Sequence, residues 1–77
     1  MRKSDFINKL KETLEIENQA ITENTNLEEI KSYDSLAVMA LIALTDELFR
    51  KKLIAQDITR ATTVLDLMKM IGLENFE

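Results

Sequence analysis

The sequence predicts an all-α fold: a small bundle of three main helices plus one short helix, with a long loop between the first and second helices. The chain has 77 residues, no Pro and one Gly, and it is rich in Leu, Ile, Ala, Lys and Glu. This composition favours helix over sheet. Because a chain of this length can form one hydrophobic core, we expect a single domain over residues 1–77.

The first helix is predicted to begin after Ser4, which can cap it, and to end near Glu15. Asp5 falls in the first turn, where a negative charge is favourable. Apolar residues recur at spacings of one, three and four, which places them on a single stripe. These residues are Phe6, Ile7, Leu10 and Leu14.

Residues 16–33 lack helical periodicity and contain several turn-forming Asn and Thr residues. We interpret this stretch as a long loop whose apolar residues anchor it to the core. The anchors are Ile16, Ile21, Leu27 and Ile30. Thr25 and Glu28 have the spacing of a capping box, which predicts one helical turn inside the loop.

The second helix is predicted from about Ser35 to Phe49, and its apolar residues fall on two faces. One face is apolar along the whole helix and is assigned to the core: Val38, Leu41, Ile42, Thr45, Leu48 and Phe49. The other becomes charged towards its end: Leu36, Met39, Ala40, Ala43 and Glu47. A helix with two apolar faces is either fully buried or carries a binding surface. Full burial is difficult in so small a domain, so we favour the binding surface.

A short helix is predicted around Gln56–Ala61, followed by a last helix with clear signals at both ends. Thr63 and Asp66 have the spacing of a capping box. At the carboxyl end, Gly72 is predicted as the C′ residue, since Gly tolerates the left-handed conformation.

The composition excludes several classes of function. The net charge of −4 comes from 14 acidic and 10 basic residues, which argues against a nucleic-acid partner. The chain has no His and no Cys, so it lacks a serine-hydrolase triad, a thiol nucleophile and a zinc cluster. No catalytic residue and no metal site are therefore predicted.

Apolar segments are short throughout the chain. The longest apolar run, residues 36–44, is far below the ~20 residues that a membrane-spanning helix needs. No apolar segment follows the first residues, so no signal peptide is expected. We expect a cytoplasmic monomer that binds neither nucleic acid nor membrane.

The most informative feature is the junction Tyr33-Asp34-Ser35-Leu36 at the start of the second helix. It places a hydroxyl beside the partial positive charge of a helix N-terminus, a position that suits an attached phosphate. Ser and Asp are also common helix caps, so Ser35 taken alone could be a plain cap.

The wider pattern resembles the acyl carrier protein family. Asp34-Ser35-Leu36 matches the attachment motif, and Asp46-Glu47-Leu48-Phe49 follows at the family's spacing. Thr62-Thr63-Val64 falls where the last helix of the family begins. Upstream, Thr25-Asn26-Leu27 is similar to the Thr-x-Leu element of the family's loop. The resemblance covers nearly the whole chain and implies the same helical fold.

The resemblance implies a carrier rather than an enzyme. It implies that 4′-phosphopantetheine, donated by coenzyme A, is attached covalently to Ser35, and that Asp34 helps to present this serine. The thiol of that group would carry an acyl or aminoacyl cargo as a thioester. The implied partners are a phosphopantetheinyl transferase, an acyl- or aminoacyl-loading ligase and a downstream transferase or synthase. The second face of the second helix, from Leu36 to Glu47, would dock them.

Some positions depart from fatty-acid carriers. Ser32 replaces a frequent Gly, Ala37 and Ala40 replace frequent acids, and Arg50-Lys51-Lys52 replaces a Gly-containing turn. These departures favour a specialised pathway, such as surface-polysaccharide or amino-acid loading, over the central fatty-acid pathway; fatty-acid, polyketide and aminoacyl biosynthesis are the pathway classes that the resemblance implies. The alternative is a helical adaptor that binds a partner through the second helix without a prosthetic group.

Overall fold

Four α-helices follow one another in the computed structural model, which describes residues 1–31 and 33–77. They are α1 (Lys3–Thr13), α2 (Ser35–Phe49), α3 (Ala55–Arg60) and α4 (Val64–Ile71). Single 3₁₀ turns lie at Leu27–Glu29 and Leu73–Asn75. The predicted all-α bundle, with its long connection between the first two helices, is confirmed.

Helix α1 differs from the prediction at both ends. It begins at Lys3 with Arg2 in the capping position, so the prediction that Ser4 caps it is wrong. The carbonyl of Arg2 accepts the N–H groups of Asp5 and Phe6, and no side chain caps this end. The helix ends at Thr13, two residues before the predicted end, because the backbone turns to a positive φ of 56° at Glu15.

Helix α2 has the predicted bounds. It begins after Asp34, whose side chain accepts the N–H of Ala37, and it ends before Arg50, which has a positive φ of 53°. The predicted core face packs inward, with Leu41 and Thr45 fully enclosed. Ala37 and Leu44 are also buried, and these two positions were missing from the predicted core face. The inward face is therefore wider than the sequence indicated.

Three of the four predicted anchors in the connection between α1 and α2, Ile21, Leu27 and Ile30, are buried in the core, and the fourth, Ile16, is only partly buried against it. The predicted turn forms at Leu27–Glu29, but Asn26 caps it by accepting the N–H of Glu28. Thr25 instead accepts the N–H of Thr22 through its hydroxyl, so the expected Thr25–Glu28 capping box is wrong.

Three backbone hydrogen bonds join this connection to the start of α4. The N–H of Leu27 donates to the carbonyl of Thr62 at 2.8 Å. The N–H of Val64 donates to Thr25, and that of Leu65 donates to Glu23 at 2.8 Å. The long connection is thereby held against the last helix by main-chain bonds as well as by its apolar anchors.

The start of α4 follows the prediction, whereas Gly72 occupies the C-cap position, one residue earlier than expected, with φ and ψ both 113° rather than in the left-handed conformation. The Thr63 hydroxyl accepts the N–H of Asp66, and the Asp66 carboxylate accepts the N–H groups of Thr62 and Thr63 at 2.9 and 3.1 Å. At the other end Gly72 has a φ of 113°, a conformation that L side chains rarely adopt.

The carboxylate of Asp66 makes stability sensitive to acid. The Thr62 and Thr63 N–H donors lower the pKa of Asp66, because they stabilise the charged form. This contribution is present above the unfolded pKa, about 3.9, and is lost as the pH falls through the lower folded value. We expect Asp66→Asn to lower the melting temperature at neutral pH. Between about pH 5 and pH 2, the melting temperature of the variant should decrease less than that of wild type. Asp46→Asn, on the exposed side of α2, is the control and should behave as wild type does. If the melting temperatures of Asp66→Asn and wild type decrease equally with acid, Asp66 is not the source of this pH dependence.

Three aromatic rings join the two ends of the chain to α2. The ring centroids of Phe6 and Phe49 lie 6.0 Å apart, and Phe76 lies 5.2 Å from each. Nearby, the N–H of Glu77 donates to the carbonyl of Met1 at 3.0 Å. Side chains from three parts of the sequence therefore close one end of the bundle.

Candidate functional site

Ser35 is the first residue of α2, and its side chain is exposed. The neighbouring Asp34 caps the helix through a 2.9 Å hydrogen bond from the N–H of Ala37. The alternative that Ser35 is itself the cap is therefore wrong. Within residues 1–31 and 33–77, the Ser35 hydroxyl has no hydrogen-bond partner. The Ser35 hydroxyl is therefore accessible from solvent.

The start of α2 provides an environment for negative charge. The Asp34 side chain and carbonyl accept the N–H groups of Ala37 and Val38. In the part of the chain that the structure describes, the preceding N–H groups, those of Ser35 and Leu36, have no acceptor. Unpaired N–H groups and the helix dipole together favour an anion at this position.

Tyr33, the residue before Asp34, connects the start of α2 to the core. It packs against the hydrophobic core, and its N–H donates to the carbonyl of Ile30 at 3.0 Å. Burial, with a smaller effect from Glu28, raises the pKa of Tyr33, so the phenol stays neutral. The aromatic residue therefore acts as an anchor that fixes Asp34 and Ser35 at the surface. Ser32, the departure noted in the sequence, lies outside the described residues.

The predicted docking residues on α2 differ in how exposed they are. Leu36 and Met39 are 73% and 65% exposed, which is high for large apolar side chains. Ala43 and Glu47 are exposed as well, whereas Ala40 is only half-exposed. The structure thus places an apolar surface beside Ser35, with charge at its far end.

Ala37 requires a correction. The sequence comparison treated it as one of the small apolar residues that replace surface acids, but its side chain is only 6% exposed. It lies under Asp34 on the inward side of α2, so it contributes to packing and not to a docking surface.

An open groove runs beside Ser35 between the end of α1 and the first turns of α2. Its volume is about 320 Å³. The lining residues are Thr13, Leu14, Glu15, Asp34, Leu36, Ala37 and Ala40. Asp34 and Leu36, two of these lining residues, flank Ser35 in the sequence, although Ser35 does not itself line the groove. The sequence did not indicate this groove, because α1 and α2 are separated by the long connection.

Ile54 is a second feature that the sequence did not reveal. It directly precedes α3 and is 58% exposed, although an isolated Ile in a small domain is usually a core residue. Its N–H donates to the carboxylate of Asp57 at 3.0 Å, which fixes the turn into α3. The basic residues Arg50, Lys51 and Lys52, just before it, are all exposed.

The comparison with known families decides what this arrangement is. The sequence pattern of the family described as phosphopantetheine attachment site matches residues 4–71, which is most of the chain. The chain belongs to this family of phosphopantetheine-binding carriers. Neither the curated proteins nor the solved structures gave a match. The cofactor of the carrier is covalently attached 4′-phosphopantetheine, and its role is to carry rather than to catalyse.

The residues at the start of α2 fit such a group. Attachment requires an accessible oxygen and a place for a phosphodiester, and the junction offers the free Ser35 hydroxyl beside unpaired N–H groups. When bound, the group supplies the thiol that the chain lacks. Over the described residues, no group of side chains could hold a metal ion, and no helix is long and apolar enough to span a membrane.

Proposed function

We propose that this carrier bears its phosphopantetheine on Ser35 and presents an acyl or aminoacyl thioester to partner enzymes. In this proposal Asp34 fixes the start of α2 and presents the serine to the modifying transferase. The domain over residues 1–77 acts as one unit, as a monomer in the cytoplasm.

One observation carries the choice of Ser35. Its hydroxyl is exposed at the N-terminus of a 15-residue helix whose capping is done by the adjacent Asp34. The residue therefore has no structural task that would explain a hydroxyl there. The family match, which spans this junction, favours a carrier over an adaptor without a prosthetic group.

The partners follow from the steps that a carrier needs. A phosphopantetheinyl transferase installs the group, an acyl- or aminoacyl-loading ligase adds the cargo, and a downstream transferase or synthase receives it. We propose that they dock on the exposed side of α2, around Leu36, Met39 and Ala43, with Ala40 and Glu47 at the edges. The exposed area of Leu36 and Met39 supports this surface, because large apolar side chains in such positions mark binding sites.

A specialised pathway accounts best for the composition of this surface. Two large apolar side chains and Ala43 occupy the exposed side of α2, and acidic residues are confined to Asp34 at one end and Asp46 and Glu47 near the other. A partner of such a surface needs an apolar contact area rather than a purely basic patch. The resemblance implies that fatty-acid carriers, in contrast, dock largely through acidic residues on basic patches of their enzymes.

Intact mass spectrometry tests the proposed modification. The wild-type protein is incubated with coenzyme A, Mg²⁺ and a broad-specificity phosphopantetheinyl transferase. We expect a gain of roughly 340 Da, the mass of one attached group. If the mass does not change while a control carrier is modified in the same mixture, the carrier proposal fails and the adaptor alternative is favoured.

Partner binding should depend on contact area more than on long-range charge. Salt screens exposed charges strongly but affects apolar burial little. We expect affinity for the loading enzyme to weaken only modestly between low salt and ~0.5 M salt. Met39→Glu places a charge in the apolar surface and should weaken binding strongly, as measured by titration calorimetry.

A matched variant tests whether the effect of Met39→Glu depends on where the new charge lies or only on the added charge. Asn8→Glu adds the same charge to an exposed position on α1 and should leave binding unchanged. A steep salt dependence together with normal binding by Met39→Glu would show that Asp34, Asp46 and Glu47 govern recognition instead.

A further inference from the structure

The groove between α1 and α2 has a chemistry that favours one class of cargo. Its floor is apolar, formed by Leu14, Ala37 and Ala40. Glu15 and Asp34 add two carboxylates, and no Lys or Arg is among the lining residues. A phosphodiester on the adjacent Ser35 would add another negative charge. The groove is therefore suited to a small group that carries a positive charge.

Main-chain hydrogen bonds fix the backbone at Glu15, just after the end of α1. Its N–H donates to the carbonyl of Glu12, and the next N–H, that of Ile16, donates to Lys11 at 2.9 Å. On the opposite wall, the Asp34 carboxylate uses Oδ1 to cap α2, and over residues 1–31 and 33–77 its other oxygen accepts no hydrogen bond. The two acidic residues thus lie on separate elements, at the edges of a shared groove.

We propose that this groove receives an aminoacyl cargo, whose ammonium group lies near Glu15 and Asp34 and whose side chain contacts the apolar floor. The inference rests on the proposed attachment at Ser35 and narrows the acyl-or-aminoacyl choice. The cargo can reach the groove because its tether is attached at Ser35, next to the lining residues Asp34 and Leu36, and a flexible tether keeps the local concentration of its end high. A neutral acyl group gains the apolar contact alone, and an acidic one is repelled.

The test compares three cargoes of similar size on the modified protein: alanyl, propionyl and malonyl. Each is joined through an amide in place of the thioester so that it does not hydrolyse, and intact mass first verifies attachment. Backbone amide shifts are measured at about pH 6.5, below the usual α-amino pKa of about 7.7–8.0, so the alanyl group is charged. We expect shift changes at Thr13, Glu15 and Ala40 to be about twofold or more larger for alanyl than for propionyl, the size that exposed ion pairs support. Malonyl should give the smallest changes.

Glu15→Gln replaces one carboxylate with a neutral amide of nearly the same shape. It should reduce the amide shift changes caused by alanyl towards those caused by propionyl. Glu17→Gln, an exposed residue outside this groove, is the matched control and should leave them unchanged.

Each result has a distinct meaning. Equal shifts for alanyl and propionyl, or equal effects of Glu15→Gln and Glu17→Gln, would overturn the groove assignment and leave attachment at Ser35 intact. Shift changes at Ile54 and Ile58 in place of Thr13 and Glu15 would place the cargo beside α3 and would also overturn it. Failure of attachment in the first mass measurement would remove both the proposed function and this inference.

Discussion

Replacing Ser35 with Ala should abolish the mass gain of roughly 340 Da that phosphopantetheine attachment produces. Ala has no oxygen to form the phosphodiester, and among the described residues no other serine or threonine lies at the start of α2. The fold should survive, because Asp34 and not Ser35 provides the cap. We expect a change in stability within about 0.5 kcal/mol, as for other exposed positions without a capping role.

The controls for this variant are a structural measurement and a second serine. Thermal unfolding followed by circular dichroism should give nearly the same midpoint for Ser35→Ala and wild type. Ser4→Ala removes an exposed hydroxyl from α1 and should be modified normally. Modification of Ser35→Ala would show that the attachment site is elsewhere, whereas loss of modification in Ser4→Ala would point to a general defect in recognition by the transferase.

Leu41→Ala should destabilise the domain by roughly 2–5 kcal/mol. Its side chain has no exposed surface, so truncation leaves a cavity between α2 and the rest of the core. Met39→Ala, two residues away on the opposite face, should change stability little because Met39 is 65% exposed. Urea unfolding of both variants measures the two free energies of unfolding.

Leu36→Ala is the closest control, because it makes the same chemical change at a position that is 73% exposed. It should unfold nearly as wild type does, while weakening the binding of partner enzymes. If Met39→Ala or Leu36→Ala proves as destabilising as Leu41→Ala, the assignment of the two faces of α2 is wrong.

Local sequence signals predicted those elements whose ends depend on neighbouring residues. Asp34 before Ser35, and the Thr63–Asp66 pair, specify the starts of α2 and α4 through hydrogen bonds within one turn. The start of α1 was misplaced because its cap is formed by the backbone of Arg2, a residue type that gives no capping signal. Ser4 offered a better side chain but lies inside the helix.

The parts that could not be predicted depend on contacts between distant residues. Phe76 packs against Phe6 and Phe49, and nothing near it in the sequence specifies these partners. Burial of Ala37 likewise depends on how α2 meets the other elements, since an alanine fits either face of a helix. For the same reason the motif alone was enough to propose Ser35 as the attachment site, whereas the groove next to it depends on the packing of α1 on α2.

The three main-chain bonds between the connection and the start of α4 have a consequence for hydrogen exchange. Breaking the bond from Leu27 to Thr62 separates the same two segments that the bonds of Val64 and Leu65 hold together. These amides should therefore exchange with solvent in one cooperative opening rather than in independent local fluctuations. The connection that leads to Ser35 is then expected to open only when it separates from the start of α4. In that case the cargo moves mainly through the flexibility of the attached group, and the protein around Ser35 stays folded.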